Sequence, residues 1–170
     1  MSAKMIGFHT PPPELLASLG RVMVAHSHLD YTLRMTIKSL ADVEFQVAYD
    51  ATRYDGSAYL REQVRKHGRR RFGESAPQLQ LRAILQRCED VTARRNGYAH
   101  AIWGREFEWG RESEGQPMVN TGDQNWRAYP PPDELDALAS SIDAVREELN
   151  NARLHGWLGI ALAENPLSKR

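Results

Sequence analysis

Eight positions near the start of the chain limit what it can fold into. Leu15, Leu19, Val22, His26, Leu29, Leu33, Ile37 and Leu40 follow one another at spacings of three or four. Each residue of an α-helix turns the chain by about 100°, so such positions share one face. The near-heptad spacing is that of helices packed on helices. It predicts one long first helix that faces other helices along its length. Pro11-Pro12-Pro13 opens that helix, with Thr10 as its expected cap, because proline suits a first turn whose N–H groups have no partner. Residues 1–10 read as a loose arm.

The same period returns twice. A third long helix, beginning near Ser75 or Pro77, carries Leu81, Ile84, Leu85, Cys88, Val91, Arg95, Tyr98 and Ile102, with Gly104 as its expected end. A later helix opens at Pro130-Pro131-Pro132 and carries Leu135, Leu138, Ile142, Val145, Leu149 and Ala152. Between the first and third, a weaker helical region covers Val43 to about Lys66, interrupted at Asp55-Gly56-Ser57. His67-Gly68-Arg69-Arg70-Arg71-Phe72-Gly73 reads as a basic loop. Residues 105–129 change character. Phe107-Glu108-Trp109, Pro117-Met118-Val119 and Trp126-Arg127-Ala128-Tyr129 are short and β-prone, and glycines separate them. Trp109 and Trp126 are expected to pack this piece onto the helices. Residues 164–170 are expected to fray. The expected architecture is all-α: a four- to five-helix up-and-down bundle over residues 1–170, with a small hairpin-like β-insertion before the last helix.

Charge is balanced overall but not along the chain. Residues 52–95 hold eleven basic and five acidic residues, a net +6, whereas residues 104–170 are net −5. The basic middle is either one side of paired helix faces or a place for an anionic ligand. Arg69, Arg70 and Arg71 are the candidates for following an RNA backbone. The single Cys88 excludes an internal disulfide and a multi-cysteine metal site. No apolar run approaches the roughly 18 residues of a membrane span, and the first residues lack a signal core. A cytoplasmic protein with no membrane partner is expected.

The chemistry-bearing segment is Arg95-Asn96-Gly97-Tyr98-Ala99-His100. Five Arg–His pairs at separations of five to seven occur in the chain, but only Arg95–His100 has Asn directly after the Arg and ends a long helical pattern. Asn96 and His100 are four apart and so share a face; Arg95 lies roughly 140° from His100. A fixed cation, an amide and an imidazole are what phosphodiester chemistry without a metal needs. RNA supplies its own nucleophile, the 2′-hydroxyl. An imidazole moves protons near neutral pH, and a guanidinium fork holds two phosphate oxygens.

Arg95-Asn96-xxx-His100 at the end of a third long helix resembles the HEPN superfamily. The resemblance covers residues 12–103 and the last helix, but not the β-piece. It implies an all-α, usually dimeric bundle and a metal-independent endoribonuclease without cofactor, often in a toxin–antitoxin or defence system. The implied catalytic residues are Arg95, Asn96 and His100, with Asp30 on the first helix as a supporting residue. Other members of the family are inactive binding modules, so an antitoxin or other protein partner is the alternative to RNA. Tyr98 and Trp103 are either base-stacking residues or core packing at the helix end. In the purely structural alternative, Arg95 pairs with an acidic residue such as Asp30, Asn96 caps the helix, and His100 bonds a carbonyl.

His26-Ser27-His28-Leu29-Asp30 imitates a metal-ligand string. Within a helical stripe, however, residues two apart point about 200° apart, which favours His26 as a core residue bonded to Asp30. No Gly-rich phosphate loop, nucleophile elbow or dinucleotide fingerprint is present. Cys88, on the apolar stripe, reads as a buried, inert thiol.

Overall fold

The structure is a computed structural model that describes residues 4–108, 115–122 and 125–167. Most of these residues are helical. In chain order the elements are β1 (Lys4–Phe8), α1 (Pro13–Ala41), α2 (Phe45–Thr52), α3 (Ser57–Phe72), α4 (Ala76–Ala99), β2 (Ile102–Glu108), β3 (Pro117–Asn120), β4 (Arg127–Ala128), α5 (Pro132–Leu154) and α6 (Trp157–Glu164). The chain divides into two compact units. One comprises Met1–Val24 and Ala93–Ala139, the other Ala25–Thr92 and Ser140–Arg170. No helix among the described residues is long and apolar enough to cross a membrane.

In the first unit the strands form one antiparallel sheet in the order β1-β2-β3-β4. Within residues 1–10, expected as a loose arm, Lys4–Phe8 instead form its first strand. Ile6 pairs with Glu106 and Phe8 with Gly104. The arm is held further by the His9 N–H donating to the Trp103 carbonyl at 3.1 Å and by the Tyr129 hydroxyl donating to the His9 carbonyl at 3.3 Å. The β-piece is therefore a four-stranded sheet rather than a hairpin-like insertion. Its first strand comes from nearly a hundred residues upstream, and no local pattern announces such a pairing.

Gly104 is part of the same correction. It does not end α4, which stops at Ala99; it lies in β2. A Cβ there would sit 2.6 Å from Ile6 Cγ2 and 2.9 Å from the Gly7 carbonyl oxygen, so the sheet needs a residue without a side chain. Ile102, expected on the helical stripe, is likewise a strand residue. Leu15, Val22, Val119, Leu135 and Leu138 are buried in this unit. Trp109, expected to pack here, lies outside the described residues.

In the second unit the fully buried side chains include Leu29, Leu33 and Leu40 of α1, Leu60 of α3, Leu81 and Leu85 of α4, and Leu149 of α5. The stripes read from sequence supply this core. The expected basic loop at residues 67–73 is helix, because α3 runs on to Phe72. Gly68 suggested a break, yet it sits buried inside the helix for a packing reason. A Cβ there would meet Gln78 Oε1 at 2.5 Å and Leu81 Cδ2 at 2.7 Å, both on α4. α3 ends instead at Gly73, whose φ of +63° and N–H bond to the Arg69 carbonyl at 2.8 Å form a glycine C-cap. Gly68→Ala sets a gain in helix propensity of about 1 kcal/mol against overpacking of about 1–3 kcal/mol. A net loss of about 1 kcal/mol is expected in urea unfolding, and a more stable variant would refute the close packing.

Trp157–Glu164 form a separate helix, α6, after a break at His155-Gly156. Arg71 secures it. Its guanidinium donates to the carbonyls of Asn165 (2.8 Å), Leu162 (3.1 Å) and Leu40 (3.2 Å), at the C-terminal ends of α6 and α1. Of the tail expected to fray, Ser168–Arg170 lie outside the described residues.

Candidate functional site

The last turns of α4 carry Arg95, Asn96 and Tyr98, and His100 follows its final residue. The His100 N–H still donates to the Asn96 carbonyl at 3.1 Å, so His100 completes the last α-turn. Ala101 N–H then reaches the Tyr98 carbonyl at 3.3 Å, a tighter closure, before the chain extends into β2. Asn96 and His100 are exposed and Arg95 is half-buried. Arg95 Nη1 donates to Asn96 Oδ1 at 2.9 Å. One hydrogen bond thus draws the guanidinium from its own side of the helix toward Asn96, the residue one turn before His100.

Tyr98 is half-buried, and its hydroxyl donates to the Glu134 carboxylate at the start of α5. Burial first, and then this bond, push the phenol up to about 12. Trp103 is half-buried in β2, with its ring edge-on to Tyr129 at 5.1 Å between centroids. Tyr98 thus has a hydrogen-bond partner and Trp103 a packing partner. Asp30 belongs to the second unit, where its Oδ2 lies 3.6 Å from His26 Nδ1.

No protein-family model, curated protein or solved structure matches this chain.

The three candidate RNA-binding arginines have different surroundings. Arg71 is engaged by three carbonyls, and Arg69 lies 3.3 Å from Glu74. Arg70 lines a cleft of about 400 Å³ with Glu62, Arg65, Lys66, Arg69 and Arg82. Two of those cations are also paired, Arg65 with Glu89 at 3.2 Å and Arg82 with Glu74 at 3.0 Å. Burial first, and then Lys66 and Arg70, lower the proton affinity of His67 below its ordinary value, which disfavours its charged form. This basic segment is therefore much less cationic than its sequence suggests.

Sequence reasoning missed a buried polar cluster in the second unit. His26 is 1% exposed, and Thr92 and Arg61 are each 6% exposed. The Thr92 hydroxyl donates to the Cys88 carbonyl at 2.6 Å. Its oxygen then accepts from His26 Nε2 at 3.1 Å and from Arg61 Nη1 at 3.3 Å. Arg61 could have been found, because it falls beside Leu60 and Val64 on the buried face of α3. Within the metal-like string, His26 is buried and His28 exposed, and no group of three His, Cys, Asp or Glu among the described residues could hold a metal ion.

Burial pushes the Cys88 thiol up to about 12, which leaves almost no thiolate at ordinary pH. A thiol reagent at pH 8 is expected to label the native protein more than about a hundredfold more slowly than the urea-unfolded chain. Equal rates would mean that α4 opens readily at Cys88.

Proposed function

We propose that this chain has a HEPN-type helical fold and cleaves RNA without a metal, using Arg95, Asn96 and His100. The observation that supports this reading most is the Arg95–Asn96 hydrogen bond one turn before an exposed His100. It holds the cation beside Asn96, one turn before the exposed imidazole. In the proposed reaction an imidazole takes the proton of a 2′-hydroxyl, whose oxygen attacks the adjacent phosphorus. The 5′-oxygen leaves with a proton, and Arg95 offsets the charge that develops on the non-bridging oxygens. One imidazole cannot be acid and base in the same step. A homodimer with a His100 from each copy at one cleft supplies both. The products are a 2′,3′-cyclic phosphate and a 5′-hydroxyl. A toxin or defence nuclease of the cytoplasm is the setting that the family resemblance implies.

A second reading keeps the fold and removes the catalysis: a binding module for an antitoxin or other protein partner. It is favoured by the zero net charge and by the internal pairing of Arg65, Arg69 and Arg71. General RNA affinity is largely electrostatic. The discriminating experiment is RNA cleavage in EDTA by wild type and His100→Ala, with analysis of the product ends. Cyclic-phosphate ends made only by wild type support the nuclease. Equal toxicity of both proteins on expression, with no cleavage by either, supports the module.

A further inference from the structure

We infer that the cleft beside Gly97 is a phosphate subsite for single-stranded RNA, with Arg94 and Arg127 as its cations. The inference rests on the RNA-cleaving reading, and it concerns residues that the Arg-Asn-xxx-His motif does not include.

Gly97 lies three residues before His100, so the two neighbour each other along the end of α4. The cleft there has a volume of about 380 Å³ and is lined by Ala93, Arg94, Gly97, Tyr98, Thr121 and Arg127. Ala93 and Gly97 are one turn apart, and their small side chains leave the helix surface low between the two arginines. A Cβ at Gly97 would meet only Thr121, at 3.7 Å from its Cβ. Packing therefore does not demand glycine, and glycine is unfavourable inside a helix. An open space next to the motif is what its absent side chain provides.

Arg94 projects from α4 and Arg127 from β4, so the two cations reach the cleft from different elements. Arg127 is positioned by its Nη2 bond to Thr121 Oγ1 at 2.6 Å. Both arginines act on the Tyr98 hydroxyl by favouring its ionised form, which places their field at the cleft. Glu134, the carboxylate facing Tyr98, already accepts the Tyr98 hydroxyl. Guanidinium groups meeting from two sides suit a phosphodiester, whose non-bridging oxygens accept in-plane donors. A strand whose scissile phosphate lies at His100 would place a neighbouring phosphate here, which fixes register without reading the base.

The test uses binding, so that it does not depend on catalysis. The probe is a short fluorescent 2′-O-methyl RNA, which has no nucleophile and cannot be cut. It is titrated at several salt concentrations against wild type, Arg94→Gln/Arg127→Gln, Gly97→Leu and a charge-matched control, Arg53→Gln/Arg87→Gln. The arginine pair variant is expected to bind about tenfold more weakly, with a salt slope shallower by about 0.7 for each phosphate that is no longer neutralised. Gly97→Leu keeps both charges and fills the cleft, and it should also weaken binding. The control should bind like wild type. The arginine pair is exposed, so its variant tests the subsite even if Gly97→Leu does not fold. Wild-type affinity in the arginine variant, or no binding by wild type, overturns the subsite. Cleavage of unmodified RNA, run in parallel, separates the two ideas. If the binding pattern holds but wild type never cuts, the nuclease reading fails and the subsite stands. Cutting that depends on His100 but not on Arg94 and Arg127 gives the reverse.

Discussion

In EDTA, His100→Ala is expected to cleave RNA about a thousandfold more slowly than wild type, while keeping its circular dichroism and unfolding midpoint. The size follows from the imidazole's proposed role: without it, neither the 2′-hydroxyl nor the leaving oxygen has a positioned proton partner. Stability should be unaffected because His100 is exposed and its backbone N–H bond to Asn96 survives the substitution. Arg95→Ala should be equally inactive. Arg95→Lys should recover only part of the rate, since an ammonium keeps the charge but loses the fork. Asn96→Ala separates positioning from chemistry. It removes the acceptor that Asn96 Oδ1 offers the guanidinium at 2.9 Å and should cost about tenfold, because a small misplacement of a catalytic group is costly. The readout is the rate of cyclic-phosphate formation. Equal cutting by wild type and His100→Ala would remove the site assignment altogether.

Thr92→Val is expected to lower stability by about 3 kcal/mol, since two buried donors lose their acceptor at once. For a chain of this length that corresponds to a fall of roughly 6–12 °C in the unfolding midpoint. Valine matches threonine in shape, so no cavity opens and the cost is polar. The Thr92 oxygen accepts from His26 on α1 and from Arg61 on α3, while its proton bonds the Cys88 carbonyl within α4. One hydroxyl therefore links three helices in a region where Cys88, Leu29 and Leu85 are fully buried. Removing it leaves the Arg61 charge buried with less compensation, and breaking one partner of such a group costs more than its net contribution. Thr92→Ser should retain most of the stability. Differential scanning calorimetry of the three proteins checks this, and a neutral Thr92→Val would show that Arg61 and His26 have other acceptors.

Periodicity was a reliable guide wherever the physics is local. The stripe from Leu15 to Leu40 became α1, and the stripe from Leu81 to Val91 became the buried side of α4. A helix that must bury one face writes that face every three or four residues. The placement of Asn96 and His100 was legible for the same reason: four residues is one turn, so the two are neighbours at the end of α4. The mainly helical character of the chain followed from these runs alone.

Non-local pairing was not legible. Residues 4–8 carry no strong signal and became a strand only because β2 offers an edge with which Ile6 and Phe8 are in register. By sequence alone Gly68 and Gly104 both read as breaks, since glycine is backbone freedom when the neighbours are unknown. Each is instead a place where another element comes within 3 Å of a missing Cβ. The basic run at residues 65–71 looked like one patch. Tertiary structure assigned Arg71 to carbonyls and Arg65 and Arg69 to carboxylates, because charge reads along the chain while partners arrive from other helices. The sequence by itself determined the long helical stripes of α1, α4 and α5 and the spacing of Arg95, Asn96 and His100. Which cations are engaged by carboxylates and carbonyls, and which glycines are close approaches rather than hinges, only the tertiary structure decided, since both depend on atoms far away in the chain.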